Sequence, residues 1–141
     1  NYLGGADAYE TGTWTPTFTP GESGTTAVNT GADVGSYTKI GRSVYVCGFF
    51  IIGAISSPVG TLILGGLPFL VDNNTGGDYS SYSAPSFKVA NLTGSINAIQ
   101  GWANPNTFTA TIVEFTGTTE ADWADHVQTG TQIFMSLTYI T

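Results

Sequence analysis

The only histidine of the chain, His126, follows Asp125 in the stretch "TTEADWADHV", with Glu120 and Asp122 just upstream. A Ser-His-Asp hydrolase would have to pass its proton through that one imidazole, and nothing local supplies a nucleophile. "DWADH" reads instead as solvent charge and helix-end capping. Three acids at i, i+2 and i+5 do not match the alternating ligands of a calcium loop, which must gather about 6 to 8 oxygens. The single cysteine, Cys47, excludes an intrachain disulfide and a thiolate metal cluster. Set among Val46, Phe49 and Phe50, it reads as a buried apolar thiol. Glycoside hydrolysis needs two carboxylates about 5 to 10 Å apart in a cleft; ten acidic residues make such a pair possible, yet no motif selects one. No catalytic residue, metal ligand or cofactor is therefore assigned, and the chain is read as a non-enzyme.

Sugar binding asks for different residues. A pyranose ring offers an apolar C–H face suited to an aromatic side chain, and hydroxyls that pair with amides, carboxylates and backbone groups. Two stretches have that composition. "DNNTGGDYSSY" brings Asp78, Tyr79 and Tyr82, and "GWANPN" brings Trp102, Asn104 and Asn106. The alternative for both is purely local: Asn and Asp populate turns for backbone reasons, and Trp or Tyr can fold back over a sheet edge.

The elements that would hold such loops are strands. Of the 141 residues 41% are hydrophobic and 13% aromatic, but only 9% are charged, against about 25% in an ordinary soluble domain. The surface must therefore be built from Thr, Ser, Asn and Gly. Three basic and ten acidic residues leave a net charge of −7, which repels a phosphate backbone or an anionic membrane. No apolar run approaches the roughly 20 residues of a bilayer span, so neither nucleic acid binding nor membrane insertion is expected. The chain opens at Asn1 without a signal peptide and is read as a piece of a longer protein. Residues 1–8, "NYLGGADA", read as a linker end and 9–141 as one domain.

Helical periodicity is nearly absent. Short β-branched and aromatic runs, punctuated by Gly, Pro, Asn and Asp, predict strands near Thr13–Thr19, Thr25–Asn29, Gly35–Ile40, Ser43–Ile52, Gly60–Leu64, Ser83–Ala90, Gly94–Gln100, Thr107–Glu114 and Gln132–Ile140. The fold class is all-β, an antiparallel sandwich or barrel. "TTEADWADHV" is the one helical candidate, of one or two turns, with Thr119 as its cap and Trp123 and Val127 anchoring it on the sheets. "SSPVG", "VDNNTGGDYSS", "GWANPNT" and "FTGTTEAD" are the predicted loops.

The stretch "YTKIGRSVYVCGFFIIG", Tyr37–Gly53, holds two of the three cations, Lys39 and Arg42, at a tight turn. Side chains alternate along a strand, so one face carries Val44, Val46, Phe50 and Ile52, and the other Tyr45, Cys47, Phe49 and Ile51. Both are apolar, whereas a sheet with one wet face alternates with polar residues. A sandwich core covers one face only. The second cover is expected to be another copy of the chain, with Tyr45, Phe49 and Ile51 at the contact, or else the segment Val71–Tyr82 folded back.

Four stretches, in this order along the chain, carry a family likeness: "YETGTWTPTF" (Tyr9–Phe18), "YTKIGRSVYVCG" (Tyr37–Gly48), "LGGLPF" (Leu64–Phe69) and "GTQIFMSLTYIT" (Gly130–Thr141). The sequence resembles a domain common at the C-terminal end of phage and prophage tail fibres and tailspikes. The usual first motif is more acidic, like "YEEGTWTP", and here Thr11 replaces one carboxylate. The resemblance implies an extracellular virion component with a jelly-roll-like β-sandwich, assembled as a homotrimer beyond upstream tail domains. Such tips bind bacterial surface glycans, capsule or lipopolysaccharide, or hold the three chains together as a clamp. It also implies that Trp14, inside "GTWTP", packs near the subunit interface. Depolymerase activity in that family commonly lies in a large β-helix, for which this chain shows no repeat.

Overall fold

In a computed structural model of the protein, residues 9–73, 79, 81–116 and 119–141 are described. They form eleven strands: β1 (Tyr9–Trp14), β2 (Thr17–Pro20), β3 (Ser23–Val28), β4 (Gly35–Ile40), β5 (Ser43–Val59), β6 (Leu62–Gly65), β7 (Ser86–Ala90), β8 (Ile99–Ala103), β9 (Ala110–Thr116), β10 (Thr119–Ala121) and β11 (Gln132–Ile140). Every pairing is antiparallel. One sheet runs β1-β4-β5-β11-β7, with β3 added along β5; the other runs β10-β9-β6-β2, with β8 added along β9. The chain is an antiparallel β-sandwich, and it crosses repeatedly between sheets, as a jelly-roll-like wrapping requires.

β5 is the spine. Cys47 pairs with Ser36 of β4 on one side and Ser136 of β11 on the other, so β4 and β11 lie along opposite edges. β3 follows β4 along the same edge, pairing with Ile52–Val59. Val44, Val46, Phe50 and Ile52 from β5 and Ile133, Leu137 and Tyr139 from β11 are fully or almost fully buried. They meet Phe18, Leu62, Leu64, Ala110 and Ile112 of the second sheet in one core cluster. Phe50 is its centre, edge-on to Trp14 at 5.7 Å and tilted against Phe18 at 5.9 Å.

Four expectations are corrected. The predicted strand Thr13–Thr19 is two strands in different sheets, because Pro16 has no N–H to continue a ladder and the chain crosses over there. "SSPVG" is no loop: Ser56–Val59 ends β5, and Pro58 is accommodated by an irregularity at which Thr25 pairs with Ser56 but Ser23 with Val59. "GWANPNT" begins as strand, since Gly101–Ala103 belong to β8. The helix candidate is a strand followed by one 3-10 turn, Ala124–His126, because Thr119–Ala121 finds β9 as partner. Trp123 does anchor that turn: it is fully buried and its Nε1 donates to the Ile112 carbonyl at 3.1 Å.

Trp14 is 4% exposed, inside the core of its own chain. That corrects its expected place near a subunit surface: as the last residue of β1, opposite Gly35, its indole is drawn inward against Phe50. Earlier in β1, Gly12 pairs with Tyr37 of β4; a Cβ at Gly12 would stand 2.7 Å from the Tyr37 phenol, whose hydroxyl donates to Glu10 Oε1 at 2.6 Å. That bond to a carboxylate raises the Tyr37 pKa above its ordinary value. Gly12 thus has a steric reason within the "YETG" stretch.

Phe50→Ala is expected to cost about 3 to 5 kcal/mol, read as a fall in the urea midpoint with unchanged slope. A cost below about 1 kcal/mol would mean that Phe50 does not hold the two sheets together.

Candidate functional site

One end of the sandwich gathers the predicted sugar-binding stretches. The Ala103 N–H donates to the Ser83 carbonyl at 2.9 Å, joining the β8–β9 hairpin to the segment after Tyr82. The Val71 N–H donates to the Thr107 carbonyl at 2.8 Å, and the Asn106 N–H to the Val71 carbonyl at 3.0 Å. The Asp72 N–H reaches the Ile140 carbonyl at 2.8 Å. Tyr139 fastens the same segment: its hydroxyl donates to the Phe69 carbonyl at 3.0 Å and accepts from the Phe69 N–H at 3.2 Å. Burial pushes the Tyr139 pKa up to about 12, the bond to Phe69 offsetting part of the effect.

On this end Tyr79 is 71% and Tyr82 52% exposed, with ring centroids 6.2 Å apart and planes 34° from parallel. They form a broad aromatic platform of the kind a sugar face covers. Trp102 is half-buried on β8, its strand neighbour Ala103 facing the core. Asn106 is exposed at φ +57°, a left-handed turn position that Asn tolerates. Asn104 is committed to the hairpin: its Nδ2 donates to Thr109 Oγ1 at 2.9 Å and its Oδ1 accepts from Thr111 Oγ1 at 3.1 Å. That is a turn-building role, the local alternative. Asp78 lies outside the described residues. Phe108, 50% exposed on the same hairpin, was not singled out in the sequence, where a Phe between two Thr reads as ordinary strand.

A second feature is the outer face of the β5 sheet. Tyr45 is 44% and Phe49 38% exposed, and Ile51 is half-buried. Register sets Phe134 of β11 opposite Phe49, with ring centroids 4.5 Å apart. Lys88 of β7 stands 5.0 Å above the Phe134 ring. A shallow apolar groove runs between these side chains. The described part of Val71–Tyr82 does not cover them, being tied to the end of the sandwich. Cys47 corrects its expected burial: it alternates with buried Val46, so it faces outward, half-exposed, 3.3 Å from Ser36 Oγ. Phe134 escaped the sequence reading because its alignment with Phe49 exists only once β11 is paired.

Arg42, Lys39 and His126 have partners within the chain. Arg42 Nη2 meets Asp72 Oδ2 at 2.8 Å, and Arg42 Nε donates to the Thr141 oxygen at 3.0 Å. Lys39 lies 5.4 Å from the Phe69 ring. His126 faces Thr93 O at 2.7 Å through Nδ1 and buried Glu114 at 3.4 Å through Nε2. The imidazole thus sits between a backbone carbonyl and a carboxylate, bracing the 3-10 turn against β9. No group of three or more ligating side chains is poised for a metal ion among the described residues.

No family model matches the chain, and no curated protein matches it. Among solved structures it is similar to the Dettilon tailspike protein (gp208), with a TM-score of 0.73 and 21% sequence identity. The match covers 94% of this chain and 24% of that one, so the chain spans about a quarter of that tailspike's length. At this identity the likeness is one of fold.

Two outcomes are expected. Tyr139→Phe strips the Phe69 backbone of both hydrogen bonds made with that hydroxyl and costs about 1 to 3 kcal/mol. In the native protein burial disfavours the charged phenolate and pushes the Tyr139 pKa from its ordinary 10.0 up to about 12. The stability this contributes is complete below pH 10 and is lost as pH rises through 12. Tyr139→Phe should flatten that alkaline slope in urea titrations; an unchanged slope refutes the assignment. Tyr79→Ala and Tyr82→Ala, at exposed positions, should each stay within about 0.5 kcal/mol of the parent, checked by the same titration.

Proposed function

We propose that this chain is a distal domain of a phage tail fibre or tailspike. In this reading it assembles as a homotrimer on upstream tail domains, outside the cell on the virion, and attaches to bacterial surface polysaccharide. The observation that carries the reading is the likeness in fold to a tailspike over 94% of the chain. The four ordered sequence stretches point the same way. Tyr79 and Tyr82 form the platform for a sugar ring, with Trp102 and Asn106 beside it. Three such sites held rigidly raise the effective concentration of each for a repeating polymer, so modest single-site affinity suffices for adsorption. In this reading the chain binds without chemistry, and its one histidine lies beside Glu114 in a bracing role.

A second reading, a clamp that joins three chains without touching a receptor, is favoured by the uncovered Phe49–Phe134 face. Burying such a face contributes about 25 cal/mol per Å². The two readings separate by substitution in the full-length protein. Attachment expects Tyr79→Ala/Tyr82→Ala to lower adsorption to host cells by about tenfold or more, with the trimer mass in light scattering unchanged. A clamp alone expects that variant to adsorb normally, while Phe49→Asp releases monomers. Wild-type protein that is monomeric in light scattering refutes both. New reducing ends after incubation with host capsule or lipopolysaccharide would refute the absence of chemistry.

A further inference from the structure

Beyond the Tyr79–Tyr82 platform, we infer that the cleft between β2 and β3 is a separate binding site for one neutral hexopyranose unit, gripped through a vicinal diol by the Asp33 carboxylate. The cleft holds about 350 Å³, at the small end of the roughly 300 to 1,000 Å³ of ligand sites. One wall is Thr15–Thr19, and the other is Thr26–Val28 with Asp33. It is remote from the platform. Ile51, to which the loop before Asp33 is tied, stands roughly 25 Å along β5 from Ser43 at the Tyr139 end.

The loop that carries Asp33 is fixed. Asn29 Oδ1 accepts from the Gly31 N–H at 2.9 Å, and the Ala32 N–H donates to the Asn29 carbonyl at 2.9 Å. The turn is stitched to β5 by the Asn29 N–H on the Ile51 carbonyl at 2.8 Å and by the Ile51 N–H on the Ala32 carbonyl at 3.4 Å. Gly53 permits this approach, since a Cβ there would stand 3.1 Å from Asn29 Cα. The Asp33 side chain that follows is half-buried, with no hydrogen-bond or ion-pair partner among the described residues. In the same cleft the Thr26 hydroxyl gives its proton to the Phe18 carbonyl, which leaves it acceptor lone pairs. Such a site calls for a ligand rich in O–H donors. Adjacent hydroxyls of a pyranose can each donate to one carboxylate oxygen, a pair of charge-assisted bonds, while Pro16 and Val28 offer apolar surface to the ring. An acidic sugar would set its charge against Asp33.

A strand from another chain fits the cleft poorly. Backbone groups alternate in direction along a strand, so the Phe18 carbonyl, turned to Thr26, marks the free edge of β2 as the side of Pro16, Phe18 and Pro20. Two of these three have no N–H for an added ladder.

The test titrates a panel of methyl hexopyranosides, each beside a deoxy analogue lacking one hydroxyl of the diol, into the full-length protein by ligand-observed NMR. Calcium chloride and methylammonium chloride are titrated alone. Asp33→Asn keeps the size of the side chain, so its effect reports the carboxylate; Asp33→Ala and Tyr79→Ala/Tyr82→Ala are run alongside. The expected result is binding of at least one hexopyranoside, weakened about tenfold or more by either Asp33 substitution and by the matching deoxy analogue. The tyrosine variant should keep this binding within about twofold. If that variant nonetheless adsorbs normally to cells, the platform fails while the cleft stands. Sugar binding that ignores Asp33 but is lost in the tyrosine variant overturns this inference and leaves attachment at the platform intact. Binding of no hexopyranoside overturns it too, as does an Asp33-dependent response to calcium or methylammonium alone.

Discussion

The pairing of β5 with β11 is the constraint on which the rest of the structure depends. Nine consecutive residues of β11 face β5 without a slip, from Gln132 opposite Ile51 to Ile140 opposite Ser43. Because side chains alternate with a period of two, a slip of one residue would turn Ile133, Leu137 and Tyr139 out to solvent and bring Phe134 and Thr138 inward. The core therefore fixes the register, and the register in turn decides what appears on the far side. Phe49 meets Phe134 because Phe50 meets Ile133 one step away.

The same pairing reaches the end of the sandwich. Tyr139 and Ile140 are the last residues of β11. The first holds Phe69 by two hydrogen bonds, and the second receives the Asp72 N–H. Arg42, in the β4–β5 turn, closes the arrangement by joining Asp72 to Thr141. A segment rich in Pro, Gly and Asn is thereby tied at several points to two buried strands, and the hairpin Asn104–Thr109 braces it from the other side. Loops fixed on a rigid scaffold are where recognition is commonly placed.

Charge follows a matching economy. With so few cations, one joins Asp72 to Thr141 and two lie against aromatic rings. The surface left over is hydroxyl, amide and aromatic.

Much of this was legible in the sequence. The all-β class, the doubly apolar faces of β5, and the limits of β4 and β11 follow from alternation and from turn residues, which are properties of neighbours along the chain. Other points were not. The sequence pattern runs a strand through Pro16 and a loop through Pro58, whereas the first marks a change of sheet and the second a bulge inside a continuous strand; only the partner strand distinguishes them. "TTEADWADHV" satisfies the local rules for a helix start, yet β9 offers Thr119–Ala121 a ladder worth more than an isolated turn. Trp14, Cys47 and Phe134 have ordinary sequence surroundings; their burial or exposure depends on which strand lies opposite. Local periodicity determined which residues form strands and which face of each is apolar. Pairing between distant segments decided which faces meet, which remain bare, and which loops share an end.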